Sequence, residues 1–353
     1  MSSNNMLYSN LGKSGILVSK LSFGSWVTFN EQLDLDQAYL LMKRAYELGC
    51  NFFDNAETYA AGAAEMIMGQ AFQRGVQEGI WSREDLLFST KIFFGGRGSR
   101  DTVNSKGLSR KHVVEGLRAS LNRMNLKYVD IVFCHRPDPL TPIEETVRAM
   151  NHVINRGWAF YWGTSEWSAQ EITEACRVAD TCGLFRPLCE QPQYHIFHRH
   201  RLEIEYEPLY KEFGIGTATW SPLAWGILTG KYSGKNIPQG SRLSLSKYSS
   251  LRQRVFHERA WQLEITDSLK PIAEELGCTL AQLAIAWCAA NPNVSTVITG
   301  ATKLEQLEEN FRAIQFVPKL SAEKMKLIDE ITGTKPDYNA EMKMARRIRG
   351  LER

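Results

Sequence analysis

Four side chains that could handle a proton stand well apart in the chain: Asp54, Tyr59, Lys91 and His135. A free tyrosine titrates near about 10 and donates a proton poorly at neutral pH unless its anion is stabilised. A lysine ammonium beside the hydroxyl favours the phenolate, and an aspartate paired with that lysine keeps it charged in a buried setting. On this reading Asp54, which follows two phenylalanines in NFFDNAETYA, holds Lys91, and Lys91 lowers the pKa of Tyr59. A histidine beside them can hydrogen-bond the same substrate oxygen and orient it. Together the four could protonate a carbonyl oxygen as a hydride arrives at its carbon. Plainer uses exist for the parts. Asp54 could cap a helix starting near Ala56, or pair with Lys91 for structural reasons alone, which leaves Tyr59 and His135 without a role. A metal-dependent hydrolase using Asp54, Glu57 and His135 would need more histidines at equivalent positions than this sequence offers. No metal ligands are assigned.

What must position these residues is a regular alternation of short apolar runs and helical patterns. After a hairpin in MLYSNLGKSGILVSK, turning at Gly15, predicted strands read LSFGSW, NFFDN, LLFSTKI, YVDIVFCH, AFYWGTS, PLCEQPQ, IGTATWSP and STVITG. Each is followed by a helix: 34–48, 65–74, SRKHVVEGLRASLNRMN with a serine cap, PIEETVRAMNHVINRG, SAQEITEACRVADTCG, 203–212, the helices up to Ala290, and KLEQLEENFRAI. One more amphipathic helix, AEKMKLIDEIT, closes the pattern. Eight such units in about 300 residues fit a parallel (β/α)8 TIM barrel better than an open doubly wound sheet. An open sheet binding a dinucleotide would carry GxGxxG after its first strand, and SWVTFNEQ has none. GGRGSR, at 95–100, has the wrong spacing and reads as a mobile loop. The reading is one barrel domain over the whole chain, 1–353, with its core over about 6–333 and a basic tail over 334–353. In a barrel of this kind the C-terminal strand ends form the active site, and those ends carry Ser25, Trp26, Asp54, Lys91, His135, Ser165, Gln191, Trp220, Ser221 and Gly300.

Composition excludes several classes. A hydrophobic share of 43%, a charged share of 23% and a net charge of +3 describe a soluble globular chain with no electrostatic case for nucleic acid. No apolar run reaches the length of about 18 residues needed to cross a bilayer, and MSSNNMLYSN has no secretory pattern. Seven scattered cysteines without a CxxC pair fit reduced thiols, so a cytoplasmic location is expected. The terminal KMARRIRGLER is locally basic, read as a solvated tail or as a targeting or partner segment.

NFFDNAETYA, the STK ending at Lys91 and the CHRPD around His135 resemble the Asp–Tyr–Lys–His tetrad of the aldo-keto reductases. KIFFGG, GLSRKHVVEGLRASL, HRPDP, YWGTSEW, CEQPQYHIF, TWSPLAWGILTGKY, GCTLAQLAIAWC and GATKLEQLEEN resemble one branch, the β subunits of voltage-gated potassium channels. The likeness runs from about residue 6 to 333. It implies reduction of aldehydes or ketones with NADPH bound extended across the barrel mouth, Tyr59 as general acid, and Asp54, Lys91 and His135 as its partners. By resemblance the nicotinamide end meets Ser25, Trp26, Asp54, Ser165 and Gln191, with Trp220 stacked on the ring and Gln32 belonging to the same site. Ser221, Pro222, Leu223, Ala224 and Gly226 would wrap the pyrophosphate beside Lys231. The adenosine end would use Arg242, Gly300, Thr302, Gln306, Glu309 and Asn310. Here the residues add support, since GATK opens a helix whose N-terminal amides favour phosphate, with Lys303 as a cation. An ordinary capped helix and a solvated Arg242 are the plain alternatives.

Four departures from the branch stand out: His135, where animal channel subunits carry asparagine and ordinary reductases histidine; Glu166 in SEW in place of SRW, a reversed charge expected beside the nicotinamide; Trp225 in place of a small residue, expected to narrow the cofactor channel; and Gly240 in place of an aromatic near the adenine. Trp26, Tyr59, Trp167 and Trp225 could line an aromatic mouth, or pack in core and rim. Few residues precede the barrel, so the channel-plugging segment of some relatives is expected to be missing. The resemblance implies a homotetramer, and a potassium channel is a possible partner for a regulatory subunit with slow turnover.

Overall fold

A computed structural model describes residues 5–26, 33–96, 102–337, 344 and 346–351. A short antiparallel hairpin, β1 (Tyr8–Asn10) and β2 (Leu17–Ser19), precedes eight strands that close into a parallel barrel. These are β3 (Leu21–Gly24), β4 (Phe52–Asp54), β5 (Leu87–Ile92), β6 (Val129–Cys134), β7 (Ala159–Thr164), β8 (Cys189–Glu190), β9 (Gly216–Thr219) and β10 (Thr296–Thr299), with β10 pairing both β9 and β3. Around them run α1 (Leu35–Glu47), α2 (Ala63–Gln77), α3 (Arg110–Met124), α4 (Ile143–Asn155), α5 (Ala169–Thr181), α6 (Glu207–Glu212), α7 (Ser249–His257), α8 (Ala260–Ser268), α9 (Lys270–Leu276), α10 (Leu280–Ala290), α11 (Leu304–Arg312) and α12 (Ala322–Thr332). This is the predicted (β/α)8 barrel with its hairpin and extra C-terminal helix. Among the described residues no single helix is long and apolar enough to cross a membrane.

Strand periodicity sorts each side chain inward or outward. In β5, Leu87 packs with the barrel interior, Ser89 and Lys91 reach Asp54, and Phe88 and Ile92 join the layer between strands and helices. In β6, Ile131 and Phe133 face in and Val132 and Cys134 face out. The interior filling, Phe52, Ile131, Phe133, Cys189, Ala218 and Ile298, continues into Leu11 and Val18 of the hairpin, which therefore plugs the N-terminal end of the barrel. Gly12, at φ +56, makes this possible, because a β-carbon there would sit 2.6 Å from the Leu188 carbonyl oxygen and 2.7 Å from the Gly216 amide. With its lower half filled by apolar side chains, the barrel is free to be polar only at the opposite, C-terminal mouth.

Helix starts follow their sequence signals. Asp34, Ser168 and Thr279 form capping boxes with Gln37, Glu171 and Gln282, and Ser109 accepts from the His112 amide, each such cap contributing about 1 kcal/mol. Two expectations are corrected. Asp54 caps no helix: a 3-10 turn over Tyr59–Gly62, with Ala60 and Ala61 in the left-handed region, intervenes before α2. The helix expected at 203–212 is split into a π turn, Arg201–Glu205, and α6, which begins with Pro208 in its first turn. Of the GGRGSR loop, residues 97–100 lie outside the described residues, as do Gln32 and much of the basic tail.

Candidate active site

Asp54, Lys91 and His135 emerge at the mouth because β4, β5 and β6 are neighbours in register, Asp54 opposite Ser89 and Lys91 opposite Phe133. The Lys91 side chain is fully buried, and its Nζ donates to Asp54 Oδ2 at 2.6 Å, to the Asn55 carbonyl at 2.7 Å and to the Tyr59 hydroxyl at 3.0 Å. All three ammonium donors are thereby used. Asp54 Oδ1 accepts from Ser89 Oγ at 2.7 Å and from Gln191 Nε2 at 3.0 Å. The carboxylate thus has donors on both oxygens, which is what a charge in this position requires. His135 stands edge-on to Tyr59, ring centroids 5.7 Å apart, and its Nδ1 is buried without a partner among the described residues.

Electrostatics assign protonation states. Burial alone would push Lys91 down, but the Asp54 carboxylate and the Tyr59 oxygen outweigh it and hold the ammonium above the ordinary lysine value. Burial, with help from Lys91 and Arg136, drives His135 well below the ordinary imidazole value, so its ring is neutral at pH 7. Tyr59 corrects a sequence expectation. Lys91 does pull it down, but burial pushes harder, and the net is a pKa above that of a free tyrosine. The hydroxyl keeps its proton at neutral pH, and the role of Lys91 is to steady the anion once that proton leaves.

These groups open into a cleft of ≈ 930 Å³, within the size range of small-molecule and cofactor sites. It brings Trp26, Asp54, Tyr59, His135, Ser165, Gln191 and Trp220 together at one end with Ser221, Pro222, Leu223, Gly226, Lys231, Arg242, Gly300, Thr302, Gln306, Glu309 and Asn310. Ser25 and Ala224 are buried behind its wall, Ser25 Oγ donating to the Asp54 carbonyl at 3.2 Å. Gln32 lies outside the described residues. A strained segment borders the cleft: Ser221, Ala224 and Trp225 all have positive φ (60°, 47° and 58°), beside Gly226 at 97°. Strain of this sort persists only where packing enforces it, and here the Arg259 guanidinium lies 4.7 Å over the Trp225 ring with His195 at its edge. Trp225 lines the cleft as expected.

The family model for the aldo/keto reductases matches residues 20–332. The chain belongs to the aldo/keto reductase family. A protein of Arabidopsis thaliana named "Probable voltage-gated potassium channel subunit beta" is 56% identical over 331 residues, which cover 94% of this chain and 98% of that protein. One of the same name from Oryza sativa subsp. japonica is 55% identical over the same coverage. The reductase barrel described here therefore sits in the branch that holds these named β subunits.

Against that branch, Glu166 behaves differently from its sequence expectation. Its residue is left-handed at φ 59°, and its carboxylate turns away from the cleft to take hydrogen bonds from the Gln193 amide (2.6 Å), Trp220 Nε1 (3.0 Å) and Arg201 (2.9 Å). A charge expected beside the ligand is instead the support that fixes the Trp220 indole. Trp167 also leaves the mouth: it is buried and its carbonyl accepts from the Tyr206 hydroxyl. Glu57 is occupied by the Phe93 and Gly95 amides, both at 2.8 Å, and by His112, so it braces the loop after β5. Among the described residues no cluster of His, Cys, Asp or Glu converges as a metal site would require. Sequence reading missed Phe94 and Arg136, both in the cleft wall. The RPD following His135 was the signal for Arg136.

Proposed function

We propose that this chain reduces aldehydes or ketones with NADPH, with Tyr59 as general acid, Lys91 and Asp54 as its electrostatic support, and His135 orienting the carbonyl. The observation that carries the reading is the Lys91 ammonium bridging the Asp54 carboxylate and the Tyr59 hydroxyl beside a neutral His135. Fit to the cofactor is supported by the cleft itself. The cleft also carries Lys231 and Arg242, close enough that Arg242, after burial, helps lower the Lys231 pKa, with the Arg242 guanidinium 5.6 Å over the Trp26 ring and Lys303 lining the cleft at the start of α11. Trp220, held by Glu166, offers a flat face near the tetrad, and Ser165 and Gln191 offer polar groups to an amide. The Gly300 position leaves room, since a β-carbon there would meet nothing closer than 3.8 Å. NADPH bound in this cleft supplies the hydride. Tyr59 gives its proton to the carbonyl oxygen, Lys91 stabilises the phenolate left behind, and the neutral His135 ring, which lines the cleft, fixes the oxygen's position.

A second reading, for which the names of the relatives speak, is a β subunit of a potassium channel; in this reading we propose a cytoplasmic homotetramer that binds NADP(H) and regulates the channel. The two are compatible, since slow turnover can report redox state to a partner. Steady-state reduction of an aldehyde panel tests the first. Tyr59→Phe should lower kcat by about 10²–10⁴-fold, the range for loss of general acid catalysis, with NADPH affinity nearly unchanged. Loss of binding and turnover together would make Tyr59 structural and defeat the assignment.

A further inference from the structure

We infer that Arg136 is a substrate-binding residue that selects carbonyl compounds bearing a carboxylate or similar anionic group; this rests on the reductase reading above. Arg136 follows His135 directly and lines the cleft, half-buried. One guanidinium nitrogen, NH1, donates to the His135 carbonyl and, at 3.4 Å, to Ser165 Oγ. The guanidinium also lies 5.9 Å from the Phe94 ring, which packs edge-on to His135 with centroids 5.1 Å apart. Its other terminal nitrogen makes no hydrogen bond, and no ion pair neutralises the group among the described residues.

The carboxylates around the site are committed elsewhere. Asp54 is held by Lys91, Ser89 and Gln191. Asp138, two residues along, accepts from the Leu108 and Leu140 amides and the Thr141 hydroxyl. Glu57 is held by two amides and His112, and Glu166 by Arg201, Trp220 and the Gln193 amide. A half-buried cation that has no counter-charge among the described residues, walled by Phe94 and next to the group that orients the carbonyl, is complementary to an anion carried on the substrate. The planar fork suits a carboxylate in particular. Lys231, Arg242 and Lys303 line the same cleft and suit the cofactor's phosphates.

The test compares 4-carboxybenzaldehyde with its neutral amide isostere, 4-formylbenzamide, on the full chain with NADPH. Wild type should favour the carboxylate in kcat/KM by about 10- to 100-fold, the span of one charge-assisted hydrogen bond. Arg136→Gln should remove that preference, lowering kcat/KM for the carboxylate far more than for the amide, and Arg136→Lys should keep part of it. Equal loss on both substrates, or a wild type without preference, would overturn the proposal. If wild type reduces neither aldehyde, the reductase reading fails, and benzoate binding read by tryptophan fluorescence decides this one separately. Saturable quenching in wild type that is absent in Arg136→Gln supports the anion site. Quenching equal in both, or none in wild type, rejects it.

Discussion

Replacing Lys91 by methionine probes the central support of the site. The substitution keeps a long apolar stem but removes a fully buried ammonium with three hydrogen bonds. Asp54 Oδ2 loses the donor at 2.6 Å and the Asn55 carbonyl loses its partner, while Oδ1 keeps Ser89 and Gln191. Removing one partner of a buried ion pair typically costs about 3–5 kcal/mol, which at about 2 °C per kcal/mol for a large domain is a fall in Tm of roughly 6–10 °C. The folded-state pKa of Lys91 is raised, so its contribution is fully present at pH 7 and is lost only as pH climbs past the ordinary lysine value. Thermal and urea unfolding at pH 7 are therefore suitable assays. Asp54→Asn/Lys91→Met removes both charges and should recover much of the loss. A single mutant costing under about 1 kcal/mol, the level of an exposed pair, or a double mutant no better than the single, would refute the description of a dry, mutually dependent pair.

Three further outcomes follow from the same geometry. Burial pushes the Glu190 carboxyl up to about 8, so the unfolded chain releases this proton near the ordinary value while the folded one keeps it; stability should fall by up to about 1.4 kcal/mol per pH unit between those values, and Glu190→Gln should flatten that slope in urea melts at pH 5, 6 and 7. Arg242→Ala should raise the Kd for NADPH about tenfold while changing NADH far less; equal weakening would sink its assignment to the 2′-phosphate. Glu166→Arg should free the Trp220 indole and set a cation against Arg201, shifting tryptophan emission and weakening NADPH binding, whereas Glu166→Gln retains an acceptor and should stay closer to wild type; indistinguishable spectra for Glu166→Arg and wild type would contradict the supporting role.

Strand order and the tetrad were legible because period-two alternation decides which residues face the barrel interior, and LFSTKI places Lys91 on the same side as Ser89 without further information. Strand ends were less so. PLCEQPQ reads as a strand, yet only Cys189–Glu190 form one, because Pro187 and Pro192 flank it and cannot donate to a ladder. Beyond the Asp54–Lys91–Tyr59 contacts, what one residue does to another across the fold was illegible. The direction in which Glu166 points depends on Arg201 and Trp220 arriving from separate elements, and the net shift of Tyr59 is a contest between burial and Lys91 that only a packed structure can decide. The aromatic mouth was partly legible: Trp26 and Trp225 line it, while Trp167, equally aromatic in sequence, packs inside.

The most direct measurement is single-turnover oxidation of protein-bound NADPH, followed by absorbance, on mixing with an aldehyde, in wild type and Tyr59→Phe. The account predicts rapid oxidation in wild type and a loss of about 10²-fold or more in the mutant, with the cofactor bound equally tightly in both. NADPH that binds tightly and is oxidised at the same slow rate in both proteins would contradict it, leaving the cofactor as a ligand to be sensed and not a reactant.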